Sequence, residues 1–272
     1  MKPFPVLYKI RAFIKRDFLI AGSYQLNFVL TALNSLFILT LLYFIGGMVK
    51  TDSMGLEQYG GDYFAFVLIG YGFFQYFQLA LTSFSAAIQR EQLTGCLESM
   101  LGTQTAPETS ILLSSLYSLL SSLLHLLLIF IVGSLVFKVN LMGMNLPLVV
   151  ITFLLAVLVF VSFGILSAAF VLVLKKGDPV TWLITTLNFI LGGAFFPLEQ
   201  MPSWMLGIAR FVPATYALDA LRQGLINGAG FTEVWTSLAA LSGMGLLLFP
   251  ASLFVFNRAV RKARREGTLI LY

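Results

Sequence analysis

The sequence is poor in charge, cysteine and histidine, and each shortage excludes something. Only 11% of its 272 residues are Asp, Glu, Lys or Arg, where a soluble domain carries about 25%. With 58% apolar residues and a mean hydropathy of +0.91, the composition is that of an integral membrane protein. A single cysteine, Cys96, rules out an intrachain disulfide. One histidine, His125, and that cysteine cannot hold a metal without distant carboxylates, so no metal site is expected. No G-x-x-x-x-G-K-[ST] phosphate loop occurs, so P-loop nucleotide hydrolysis, catalytic residues and a bound cofactor are not expected of this chain. No aspartate or glutamate falls within the long apolar runs. Ion-driven carriers usually need buried ionisable groups for a relay, which argues against that class.

What charge there is sits at the ends. Of 17 Lys and Arg, five lie in Lys2–Arg16 and five in Arg258–Arg265. They read as membrane-flanking charge rather than a nucleic-acid surface, so nucleic acid is not an expected partner and membrane lipid is. Val6, Leu7, Ile10, Phe13 and Ile14 fall at helical spacing among Lys9, Arg11, Lys15 and Arg16. This pattern predicts an in-plane interfacial helix over 3–18. The apolar run after it is far longer than a signal's core of roughly 7–15 residues, so no cleavable signal peptide is expected.

Six spans are predicted within a single all-α membrane domain covering 1–272: 26–48, 63–88, 111–137, 147–174, 180–197 and 234–257. A span needs about 20 apolar residues at 1.5 Å rise each. The third span is full of serine (Ser114, Ser115, Ser118, Ser121, Ser122). Small hydroxylated side chains of this kind let membrane helices approach closely and bond across the interface. Six spans put both termini on one face. The terminal clusters, Arg90, Lys175 and Lys176 then share that face, leaving Lys50, Lys138, Arg210 and Arg222 opposite. The positive-inside rule makes the first face cytoplasmic.

The fifth span runs into a stretch that refuses to stay helical. Gly192-Gly193, Pro197, Pro202 and Pro213 interrupt it, with Glu199, Trp204, Phe211, Tyr216, Asp219 and Arg222 among the breaks. Broken backbone at membrane depth is tolerated only where protein buries it or a watery cavity meets it. The pattern predicts a re-entrant helical hairpin over 198–226 on the outer face, with Pro202 and Pro213 each starting a short helix. Asp219 and Arg222 lie at i, i+3, close enough to pair.

Arg90–Ser110 is the second informative stretch. Leu93, Leu97, Met100 and Leu101 make one apolar face of a short cytoplasmic helix over 90–102, and Glu91, Gly95, Glu98 and Gly102 another. Gly102, Thr103 and Pro107 are expected to end it. Docking into a cleft on a partner fits that face, and so does a solvated or headgroup-lying connector. Spacing alone leaves both open. His125 is read as a neutral histidine bonded to a neighbouring serine or carbonyl, with a proton relay as the alternative. The second span's aromatics, Phe73, Phe74 and Phe77 among them, either pack or line a path for an amphiphile.

Taken together, the residues resemble the membrane (permease) subunit of type 2 ABC exporters, the ABC-2 family, over essentially the whole chain. The resemblance is carried by Gly193-Ala194-Phe195-Phe196-Pro197-Leu198-Glu199-Gln200-Met201-Pro202-Ser203-Trp204-Met205, by Val212 to Arg222, and by Arg90 to Leu101. It implies two permease chains, either identical or closely related, each paired with a separate P-loop ATPase subunit that carries ATP and Mg²⁺. It implies a coupling helix (Arg90, Glu91, Leu93, Gly95, Leu97, Glu98, Leu101) seated in the ATPase. It also implies an outer gate around Pro197, Glu199, Pro202, Trp204, Pro213, Tyr216, Asp219 and Arg222. The expected setting is a prokaryotic cell membrane, and the expected cargo an amphiphilic drug-like or lipidic substrate. Lys15-Arg16-Asp17-Phe18-Leu19-Ile20-Ala21-Gly22 lacks the Arg-rich, tyrosine-containing pattern of polysaccharide-exporting members. Polysaccharide or glycolipid export and a non-transporting six-span scaffold are the alternatives.

Overall fold

In the computed structural model, which describes residue 11 and residues 25–49, 56–95, 106–139, 143–174 and 179–265, every regular element is helical. Five helices are long and apolar enough to cross a membrane: α1 (Gln25–Met48), α2 (Tyr63–Leu93), α3 (Pro107–Leu135), α4 (Leu146–Leu174) and α8 (Trp235–Arg265). Between α4 and α8 lie three shorter helices, α5 (Pro179–Leu191), α6 (Ser203–Ala209) and α7 (Pro213–Arg222). The expected interfacial helix over 3–18 lies, apart from Arg11, outside the described residues.

The bundle is built around α2. It packs against α3 and α4 along its length and also touches α1, α5 and α7, while α8 lies along α4. Asp62 starts α2 by accepting the Phe64 amide at 2.9 Å, which satisfies one of the helix's free donors. Where α2 and α4 cross, Phe77 stacks on Phe160 with centroids 4.4 Å apart and planes 6° from parallel. Gly164 makes that crossing possible, because a Cβ there would lie 2.7 Å from the Phe84 ring. α1 is the outermost span, with Leu30, Leu33, Phe37 and Phe44 exposed on its outer side.

Four boundaries differ from expectation. The first is α8, which runs on through the basic residues to Arg265 where the expected span ended at 257. The fifth apolar segment is helical only over Pro179–Leu191, 13 residues. At 1.5 Å per residue that is about 20 Å, short of a hydrocarbon core of about 30 Å. The expected span over 180–197 is therefore not one helix. It stops at Gly192-Gly193, and Gly193 takes the left-handed conformation (φ 69°) that disfavours a side chain. At the other end of α2 the helix runs past Ile88 to Leu93. Arg90, Glu91 and Leu93 are thus its last turn rather than the start of a separate helix over 90–102, and Gly95 (φ 70°) breaks the chain. Pro107, expected as a terminator, occupies the first turn of α3, where its missing N–H costs nothing.

Candidate functional site

The broken stretch folds back on itself and docks on the start of α2. After α5, Leu198–Gln200 form a single 3₁₀ turn; α6 follows Pro202, and α7 opens with Pro213. The hairpin is tied to the end of α5 by two bonds. The Ala214 amide donates to Asn188 Oδ1 at 3.3 Å and the Thr215 hydroxyl to the Leu191 carbonyl at 3.2 Å, while the Gly192 amide closes the last turn of α5 on the Asn188 carbonyl at 3.0 Å. The Tyr216 hydroxyl closes the α6–α7 turn on the Arg210 carbonyl at 2.8 Å. A π-helical turn, Gln223–Asn227, ends at Gly228 in the left-handed conformation.

Arg222 is the centre of the site. Its side chain is only 3% exposed. Nε donates to the Phe66 carbonyl at 3.2 Å and a terminal nitrogen to the Ala194 carbonyl at 2.9 Å. The guanidinium lies 3.4 Å from the centroid of the Phe66 ring, in cation–π range. Gly70 makes room on α2: a Cβ there would overlap the Ala194 carbonyl oxygen and lie 2.5 Å from an Arg222 nitrogen. Burial pulls the guanidinium below its usual range, while Tyr59, Asp219 and Glu199 pull it back. Arginine starts high enough to stay charged.

Asp219 does not close directly on Arg222. Its carboxylate accepts from Tyr59 at 3.1 Å, Gln223 at 2.9 Å and Ser237 at 2.8 Å. Tyr59, in the 3₁₀ turn Leu56–Tyr59, bridges the two, since its ring also lies under Arg222. Burial pushes the Tyr59 hydroxyl up, and the neighbouring Asp219 carboxylate adds to the shift, so the phenol stays a donor. Around the rim, Gln58 donates to Glu199 at 2.7 Å and Asn227 donates to the Gln58 carbonyl at 2.6 Å. The Tyr63 hydroxyl donates to the Phe195 carbonyl at 3.3 Å.

Of the residues singled out from sequence, Glu199, Asp219 and Arg222 meet around Gln58 and Tyr59, Tyr216 bonds separately to the Arg210 carbonyl, and Pro197 and Pro213 are buried. Trp204 and Pro202 point outward, Trp204 67% exposed. Phe73, Phe74 and Phe77 are buried packing residues within the chain. Phe73 also walls an apolar cavity of about 440 Å³ shared with Leu126, Phe130, Val149 and Phe153. His125 lies apart on α3, its Nε2 2.9 Å from the hydroxyl of Ser35 on α1, a serine partner of the expected kind. Leu93 is 79% exposed at the end of α2. Leu97, Glu98 and Leu101 lie outside the described residues. Sequence reasoning missed Gln58, Tyr59, Phe66 and Gly70, whose partners are more than a hundred positions away.

Helices that can cross a bilayer, joined by a buried hairpin, define a multi-pass membrane protein. Residues 8–226 match the family described as ABC-2 type transporter, and the chain belongs to that family. It is the membrane-spanning part of such a transporter. It is also 31% identical over 120 residues to ABC transporter G family member 20 of Dictyostelium discoideum. That stretch is 41% of this chain and 16% of the relative's length.

Proposed function

We propose that the chain is the permease of an ATP-driven exporter that moves an amphiphilic, drug-like or lipidic, substrate across a prokaryotic cell membrane. Two permease chains and two separate P-loop ATPase subunits make the working unit. ATP and Mg²⁺ reside on the ATPase, so hydrolysis belongs to the assembly. Both termini and the 90–102 segment face the cytoplasm, as the distribution of Lys and Arg favours, with the 13-residue α5 and the non-helical residues 192–197 together making the fifth of six crossings. The hairpin faces outward, with Trp204 and Phe211 at headgroup depth, where exposed aromatic rings are favoured.

The observation that carries this reading is the continuity of α2. One helix of 31 residues, about 46 Å long, joins the Arg222 site at Phe66 and Gly70 to the turn Arg90–Leu93, whose Arg90 and Leu93 are exposed. A continuous packed helix is a rigid element through which displacement at the ATPase end would bias the hairpin. Leu97 and Leu101 would seat the ATPase, each buried leucine contributing roughly 1.5–3 kcal/mol, and Glu91 and Glu98 would orient it.

The test is reconstitution with the ATPase. Leu97→Asp should reduce co-purification of the ATPase, while Glu98→Ala should keep the complex but weaken substrate-stimulated hydrolysis. Parent-like binding and stimulation in both variants would make the segment a connector. Failure of the parent to bind any P-loop ATPase would favour the scaffold alternative.

A further inference from the structure

Beyond the transport reading, and independent of it, the far ends of α4 and α8 hold a second site. Between them the packing opens into a groove of about 760 Å³. Phe170, Val173 and Leu174 of α4 and Val255 of α8 form its apolar walls. Its rim carries Arg258, Arg261, Lys262 and Arg265, with no carboxylate among the described lining residues. These four cations fall at i, i+3, i+4 and i+7, one face of α8. Three guanidiniums, Arg258, Arg261 and Arg265, thus converge on one groove, an arrangement that favours an anion between them.

The depth of the groove says what that anion is. α8 runs uncharged for 23 residues, from Trp235 to Asn257, before Arg258. At 1.5 Å per residue this is about 35 Å, one hydrocarbon core, so Arg258 stands at the boundary and the later cations at headgroup depth. Apolar walls on the hydrocarbon side and guanidiniums on the headgroup side match a phosphate-headed lipid. Planar guanidiniums suit phosphate oxygens. We propose that this groove binds an anionic phospholipid of the surrounding leaflet, its phosphate among Arg258, Arg261 and Arg265 and an acyl chain along Phe170, Val173 and Leu174.

The full chain in neutral detergent, titrated with phosphatidylglycerol, phosphatidylcholine or inorganic phosphate and read by native mass spectrometry, tests this. Phosphatidylglycerol should be retained at a tenfold or lower concentration than phosphatidylcholine. Arg258→Gln/Arg261→Gln/Arg265→Gln should abolish that preference, each cation near a headgroup being worth about fivefold in binding. Arg264→Gln, a neighbouring cation outside the groove lining, should retain it. Val173→Trp, which fills the groove and leaves every cation in place, should weaken phosphatidylglycerol tenfold. This arm decides the matter even if the triple variant fails to fold. Equal retention of the two lipids would overturn the proposal. So would an Arg264→Gln loss equal to the triple variant's, or no effect of Val173→Trp, since either means diffuse surface charge. Displacement of the lipid by equimolar inorganic phosphate would mean an ion site instead.

Discussion

Replacing Arg222 by methionine tests the central contact of the hairpin. The parent side chain makes two charge-assisted bonds to carbonyls and lies 3.4 Å from the Phe66 centroid. Each bond is worth about 1.5–3 kcal/mol and a desolvated cation–π contact about 2 kcal/mol. Against this stands the cost of burying the guanidinium, several kcal/mol, which methionine avoids. Methionine leaves the Phe66 and Ala194 carbonyls without that donor, so the expected net loss is about 2–4 kcal/mol, confined to the hairpin contact. By hydrogen exchange in detergent, amides in 56–66 and 194–227 should exchange roughly 30- to 700-fold faster, with α3 and α4 unchanged. Arg222→Lys keeps the charge but not the fork, and should fall between. Gly70→Ala attacks the same contact from α2, since its Cβ would overlap the Ala194 carbonyl oxygen. The double variant Gly70→Ala/Arg222→Met should therefore be clearly less than additive. Parent-like exchange in Arg222→Met, or strict additivity in the double variant, would refute the clamp.

Two further outcomes are expected. Phe77→Ala should cost about 3–5 kcal/mol, because Phe77 is 1% exposed and stacked on Phe160; in a detergent melt it should lower the midpoint far more than Phe254→Ala, whose side chain is 57% exposed, and equal shifts would contradict the packing. Cys96 should resist an impermeant maleimide applied to intact cells and react after permeabilisation, whereas labelling from outside would reverse the proposed orientation and the coupling argument with it.

How far the sequence could be read depended on the range of the interaction. Charge-free runs located the five long helices, because lipid tolerates almost no charge and a span has a minimum length. They did not locate every end: α2 and α8 run on past the charge-free runs to Leu93 and Arg265, since a helix can continue beyond the membrane. Pro202 and Pro213 marked their helices, because proline's effect is local. The end of α5 was misjudged by hydropathy, which counts Ala194, Phe195 and Phe196 as apolar whatever their backbone does. Helicity there is decided by Gly192-Gly193. Serines of the third span were expected to bond across helices, yet Ser122 donates to the Ser118 carbonyl of its own turn at 2.6 Å. Ser35 and His125 make the cross-helix bond instead. Local spacing paired Asp219 with Arg222 because i, i+3 is all that a sequence displays. In the fold Asp219 takes a partner 160 positions away and Arg222 one 156 positions away.

The two oddities of the hairpin, a broken helix and a buried cation, explain each other. An α-helix in an apolar setting satisfies its own carbonyls, and where it stops the last ones are left without donors. Past Leu191 the chain turns through Gly193, so the Ala194 carbonyl is not bonded within a helix. Ala194 is buried, so no bulk water reaches that carbonyl and the protein must supply an N–H. Arginine can reach it while keeping a second N–H for the Phe66 carbonyl and its face for the Phe66 ring. Gly70 then leaves α2 smooth enough for both the Ala194 carbonyl and the guanidinium to lie against it. Removing the break would leave Arg222 buried without that partner, and removing Arg222 would leave the break unsatisfied. Glycine at 70, the Gly192-Gly193 stop and arginine at 222 are therefore parts of one device, set against the helix that leads to Arg90–Leu93.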